Sequence, residues 1–180
     1  MKSRYVVLSL LVLCMVLVPS PLLAKGWYFG GEFQLTSLGD SIVEDIDNGY
    51  GLGLDFGYRF SPRFALDFTW AMSFHDENGN DVEYMRFLGG GKLIFNYPEQ
   101  LQPYLTLGFE DNIIFRSILD DIDGSGFYVG FGGDYYLNEK TSIDVSLKHS
   151  MWEGNIDIPS TSEDVTTDTL SISYKHHFVK

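Results

Sequence analysis

The chain has 180 residues, a formal charge of −13, 16% aromatic side chains and 19 glycines. That length fits one domain, and 12 basic against 25 acidic residues leave no basic stripe for nucleic acid. The single cysteine, Cys14, excludes an intramolecular disulfide.

Residues 1–24 read as a secretory signal peptide. Lys2 and Arg4 supply the positive start, Val6 to Val18 the apolar stretch, and Leu22-Leu23-Ala24 a cleavage site before Lys25. A transmembrane helix needs about 20 apolar residues, and Pro19 and Pro21 end this run early. Bulky Leu13 before Cys14 argues against lipidation. Removing the 24 leader residues leaves 156, residues 25–180, as one domain. Lys2 and Arg4 leave with the leader, so its charge becomes −15.

From Trp27 onward, eight segments alternate apolar with small or polar residues, the period-two signature of strands. They are Trp27–Thr36, Gly49–Phe60, Phe64–Phe74, Glu83–Phe95, Pro103–Phe115, Gly126–Leu137, Thr141–Trp152 and Thr169–Phe178. In the second, one parity reads Tyr50, Leu52, Leu54, Phe56, Tyr58, Phe60 and the other Gly51, Gly53, Asp55, Gly57, Arg59. No helical segment remains to cover the apolar faces, so their partner is lipid and the polar parity lines a closed barrel. The fold class is therefore all-β: an eight-stranded antiparallel up-and-down transmembrane β-barrel.

The connections sort into two kinds. Those at 61–63, 96–102 and 138–140 are short and turn-rich, whereas those at 37–48, 75–82, 116–125 and 153–168 are more polar and mostly longer. Short periplasmic turns and longer outer loops are the asymmetry of outer-membrane barrels. With an even strand number, both termini are expected in the periplasm of a Gram-negative bacterium. Asp111 breaks the pattern by sharing the lipid-facing parity of Phe109 and Ile113, which predicts a bulge at Glu110–Asn112 or a site above the hydrocarbon.

The inward parity carries charge. Acidic Glu32, Asp55, Asp67, Glu110, Asp134 and Asp144 face basic Arg59, Arg86, Lys92, Lys148 and Lys175. Charges in a narrow barrel must pair or be hydrated, and six against five predicts ion pairs filling the lumen. Neighbouring strands pair Arg86 with Glu110, Asp67 with Lys92 and Asp144 with Lys175. A narrow cation-preferring channel is the alternative.

Three stretches carry a family likeness: Gly57-Tyr-Arg-Phe-Ser-Pro-Arg-Phe-Ala-Leu-Asp67, Pro103-Tyr-Leu-Thr-Leu-Gly108 and Gly130-Phe-Gly-Gly-Asp-Tyr-Tyr-Leu-Asn138. With them the chain resembles the OmpA-like transmembrane β-barrel family. The resemblance implies a small monomeric outer-membrane protein, inserted by the barrel-assembly machinery, in contact with outer-membrane lipid and lipopolysaccharide. That machinery reads an aromatic C-terminal strand; Tyr174, His176 and Phe178 keep its spacing, and Val179-Lys180 run past it. No peptidoglycan-binding domain follows residue 180 in this sequence, so anchoring is not implied.

Catalysis finds little support. A lipid A-modifying enzyme is a second alternative, but His149 and Ser150 are adjacent and point to opposite faces. His75-Asp76 and Asp40-Ser41 sit in separate loops, without the amphipathic N-terminal helix of lipid A palmitoyltransferases. The chain reads as a non-enzymatic structural or surface-interaction protein with no cofactor. Metal ligands are not assigned: His176 and His177 face opposite ways, and an EF-hand starting at Asp120 would need Glu where Phe131 stands. Seventeen acidic residues between Asp40 and Asp168 form an acidic crown at the outer end.

Overall fold

The computed structural model describes residues 26–39, 43, 46–116, 121–156 and 161–179. The predicted signal peptide, residues 1–24, lies outside the described residues, as do the acidic Asp40, Glu44, Asp45, Asp120 and Asp157. Eight antiparallel strands follow in order: β1 (Gly26–Gly39), β2 (Gly49–Arg59), β3 (Phe64–Glu77), β4 (Asn80–Ile94), β5 (Leu101–Arg116), β6 (Ile122–Asn138), β7 (Thr141–Ile156) and β8 (Thr161–Val179). Each pairs with the next, and β8 pairs back onto β1, so the sheet closes without an edge.

The register fixes the stagger. Cross-strand partners lead from Phe29 through Phe56, Phe68, Gly89, Phe109, Phe127, Met151 and Thr166 back to β1 at Gly39. The return lies ten positions beyond the start, a shear of ten for eight strands, which requires strongly tilted strands and a narrow interior. Gly51 permits the crowding that results. A Cβ there would stand 2.2 Å from the Met72 carbonyl oxygen.

All eight predicted strands are present, but the boundaries at one end require correction. The links expected at 75–82, 116–125 and 153–168 are largely strand, because β3, β4, β5, β6, β7 and β8 all run beyond the predicted limits. Between β3 and β4 only Asn78 and Gly79 remain, with φ of 56° and 85°. Two residues at positive φ make the tight hairpin turn whose twist suits antiparallel strands. We call this the loop end. The opposite turn end carries the connections around Pro62, Pro98 and Lys140, together with Gly26 and its partner Val179.

Of the two arrangements expected at Asp111, the bulge is absent. Pairing runs unbroken through Glu110–Asn112 on both sides, with Asp111 opposite Phe87 and Ser125, so there is no bulge. Asp111 is exposed on the outer wall, where its row changes from Trp70 and Phe87 to Ser125 and Glu153. Aromatic gives way to polar at that point, so the charge leaves the apolar belt without distorting the strand.

Candidate functional site

The lumen is the most organised polar region of the molecule, and alternation along each strand decides which side chains enter it. Its layers are ordered here from the loop end. The first was not anticipated: Leu38, Val43, Ile46, Val82, Tyr84, Ile114, Ile122, Trp152 and Val165 form a buried apolar cap. Val43 and Ile46 come from the connection after β1 and fold into the mouth. Ile46 bridges to Glu77, Asp47 N–H donates to the Asp76 carbonyl at 2.9 Å, and His75 Nδ1–H donates to the Asp47 carbonyl at 2.8 Å. A carbonyl only accepts, so His75 Nε2 is left to accept from Ser73 Oγ at 2.8 Å.

The sequence signal for this cap is a reversed alternation. Within the belt, Phe68, Trp70 and Phe74 point out, whereas nearer the loop end Val82 and Tyr84 point in and Asp81 and Glu83 point out. Beneath the cap, Tyr84 OH donates to Asn112 Oδ1 at 2.7 Å and Trp152 Nε1–H to Thr167 Oγ1 at 3.0 Å. Each amphipathic ring thus closes the apolar layer above and satisfies its polar atom below.

The next layer is built on Arg86 and Glu110, 2.8 Å apart with side chains 1% and 0% exposed. Ser150 Oγ and Asn112 Nδ2 also donate to the Glu110 carboxylate, and Arg86 donates to Thr169. One Glu thus has three donors around it, the satisfaction a buried charge requires. Below, Lys148 approaches Glu32 at 3.8 Å, and Asp55 accepts from Thr69 Oγ1 at 2.7 Å.

The densest layer surrounds Lys92 and Lys175. Lys92 Nζ lies 2.9 Å from Asp134 and 3.8 Å from both Asp67 and Asp144, and 3.6 Å from the centre of the Tyr104 ring. Lys175 lies 3.5 Å from Asp144 and 3.8 Å from Asp134. Tyr28 OH donates to Asp67. Lys92 to Asp134 joins β4 to β6 across the lumen, a pair that neighbour-strand reasoning misses.

At the turn end, Arg59 departs from the expected ion pairing. Its guanidinium donates to Gln102 Oε1 at 2.9 Å, Tyr136 OH at 3.1 Å and the Ser61 carbonyl at 3.2 Å, and stacks on Tyr97. It lies below the carboxylate layers, so neutral oxygens accept its hydrogen bonds. His177 closes this end beside Tyr136 and accepts from or donates to Ser142 Oγ at 2.8 Å. His176 points outward against Phe178, and among the described residues no group of His, Cys, Asp and Glu has metal-holding geometry.

Outside, exposed apolar side chains such as Leu107, Leu52 and Phe131 ring the wall, 70%, 66% and 58% exposed. The family profile described as "Outer membrane protein beta-barrel domain" matches residues 6–178. The chain belongs to the outer-membrane β-barrel family. That membership places it in the outer membrane of a Gram-negative bacterium. No curated protein matches the chain in sequence. Solved structures share the fold. The crystal structure of Neisserial surface protein A has TM-score 0.67 and 16% identity, with 86% of this chain and 99% of that one covered. Ail, the attachment invasion locus protein of Yersinia pestis, has TM-score 0.59 and 14% identity, with 86% and 99% covered. OprG from Pseudomonas aeruginosa has TM-score 0.52 and 15% identity, with 86% and 94% covered.

Proposed function

We propose that the barrel is a non-enzymatic, monomeric surface protein with a closed lumen, which works through what its loop end presents. One observation carries this reading: the apolar cap, the Arg86–Glu110 and Lys92–Asp134 layers and the Arg59 layer leave the axis occupied at every level. A continuous aqueous path for cations has no room in that stack. The acidic residues at the outer wall of the loop end, including Asp76, Glu83, Asp123, Glu153 and Asp164, suit a cationic or neutral partner. Ail of Yersinia pestis has been solved with the heparin analogue sucrose octasulfate; a polyanion of that kind is disfavoured here by like charge.

Hydrolysis of lipid A is disfavoured by geometry. His149 Nδ1–H donates to Asp168 Oδ1 at 2.7 Å on the outer wall. Ser150 is buried in the lumen, and Ser37 stands across Asp168 on the far side from His149. A serine nucleophile must touch the imidazole, not its carboxylate. In this reading the barrel-assembly machinery inserts the chain, both termini lie in the periplasm at the turn end, and the loop end meets lipopolysaccharide outside.

Two readouts on whole cells test this. Asp123→Cys introduces a thiol at the loop end, and a membrane-impermeant maleimide is expected to label it on intact cells. The lipid A mass profile is expected to be unchanged by the presence of the protein. Labelling only after lysis overturns the orientation, and a shifted lipid A mass overturns the non-enzymatic assignment.

A further inference from the structure

Lys175 is buried in the densest layer of the lumen, yet its carboxylate contacts are long. Asp144 lies at 3.5 Å and Asp134 Oδ1 at 3.8 Å, both farther than a charge-assisted hydrogen bond of about 2.7–2.9 Å. Asp134 Oδ1 is itself buried and has no hydrogen-bond partner among the described residues, because Lys92 donates to the other oxygen at 2.9 Å. A small void of about 10 Å³ is lined by Lys175 and Asp134, by Tyr136, and by the cationic Arg59 and Lys92.

We propose that this void binds one water molecule, which bridges Lys175 on β8 to Asp134 on β6. Size and chemistry select the occupant together. One water needs about 10–15 Å³, so the void holds a single molecule and nothing larger. That molecule must accept from the Lys175 ammonium and donate to Asp134 Oδ1. A halide accepts but cannot donate. A metal cation cannot donate either, and it would stand among the positive charges of Arg59, Lys92 and Lys175. Water does both and brings no charge. Tyr136 OH accepts from Arg59 at 3.1 Å, which leaves its own proton for the water. Three hydrogen bonds are the usual complement of a buried water. The bridge thus completes an ionic contact too long for a direct hydrogen bond, as ordered water does across gaps above about 3.5 Å. A single enclosed molecule makes no aqueous path, so it sits within a closed lumen.

The test uses the refolded full chain. A crystal structure at a resolution that shows ordered water is expected to place one oxygen within hydrogen-bond distance of Lys175 Nζ, Asp134 Oδ1 and Tyr136 OH. Crystals grown with bromide or with rubidium would reveal an ion there by anomalous scattering, and none is expected. In solution, the Ala65 and Ile94 methyl groups line the same void. They are expected to show nuclear Overhauser contacts to water in methyl-labelled, otherwise deuterated protein. Lys175→Met is expected to abolish those contacts, with gel mobility of unboiled samples showing that the variant folds. If it does not fold, the crystal structure of the unmutated chain decides. Three results would each overturn the proposal: Lys175 bonded directly to Asp134 with no density in the void, an ion in the void, or water contacts that survive Lys175→Met.

Discussion

Arg86 on β4 and Glu110 on β5 meet at 2.8 Å in the lumen, two positions apart along the cross-strand register rather than directly opposite. The offset matches the reach of the longer guanidinium. It also leaves Ser150 and Asn112 free to donate to the same carboxylate. Glu110→Ala leaves the guanidinium enclosed without its counter-charge, a loss of about 3–5 kcal/mol for a buried pair. Adding Arg86→Ala is expected to recover part of it. Urea unfolding of the four proteins in lipid vesicles measures the coupling, and purely additive losses would show that the pair is not coupled.

Two glycines, one on β2 and one on β4, separate close approach from mere smallness. Gly51→Ala places a Cβ 2.2 Å from the Met72 carbonyl oxygen, which cannot swing away as a side chain does. Overpacking of that kind costs about 1–3 kcal/mol. Gly91 faces outward, and an added Cβ meets nothing within 4 Å, so Gly91→Ala is expected within about 0.5 kcal/mol of the unmutated barrel. Similar unfolding midpoints for the two variants would contradict the register.

The outer wall gives a third contrast. Leu54 is 42% exposed and flanked across the sheet by Gly31 and Trp70, deep in the apolar belt. Leu54→Arg is expected to cost about 2–4 kcal/mol. Asp111→Leu, at the row's change to polar residues, is expected to fold with stability near that of the unmutated barrel. The fraction of folded, fast-migrating protein in unboiled gel samples ranks the two.

At the loop-end hairpin, Gly79 has φ of 85° with open space around its Cα. Gly79→Ala therefore tests backbone conformation alone, and a cost of about 1–2 kcal/mol is expected. Thermal or urea unfolding reads it. No loss would mean that the turn relaxes to another type.

The eight strands were legible because their lipid-facing parity stays apolar for five or six alternate positions, as in Phe64, Leu66, Phe68, Trp70, Met72 and Phe74. The loop-end extensions were not, and the reason is physical. Beyond the belt the outside is water and the inside is a dry cap, so the apolar parity changes sides. Val82 and Tyr84 turn inward while Asp81 and Glu83 face out, and a search for one continuous apolar parity stops there. Inward charges were legible one by one, but cross-lumen partners such as Lys92 and Asp134 depend on stagger, which no single strand encodes. Arg59 was assigned a carboxylate because charge balance ignores height along the axis.

The central claim is that the lumen is closed by its own side chains, and single-channel recording of the refolded, unmutated barrel in a planar bilayer tests it most directly. The layers from Trp152 and Tyr84 to Arg59 predict a flat baseline with no sustained conductance steps in salt. Steady ohmic steps with cation selectivity would contradict the closed lumen and establish a conduit in its place.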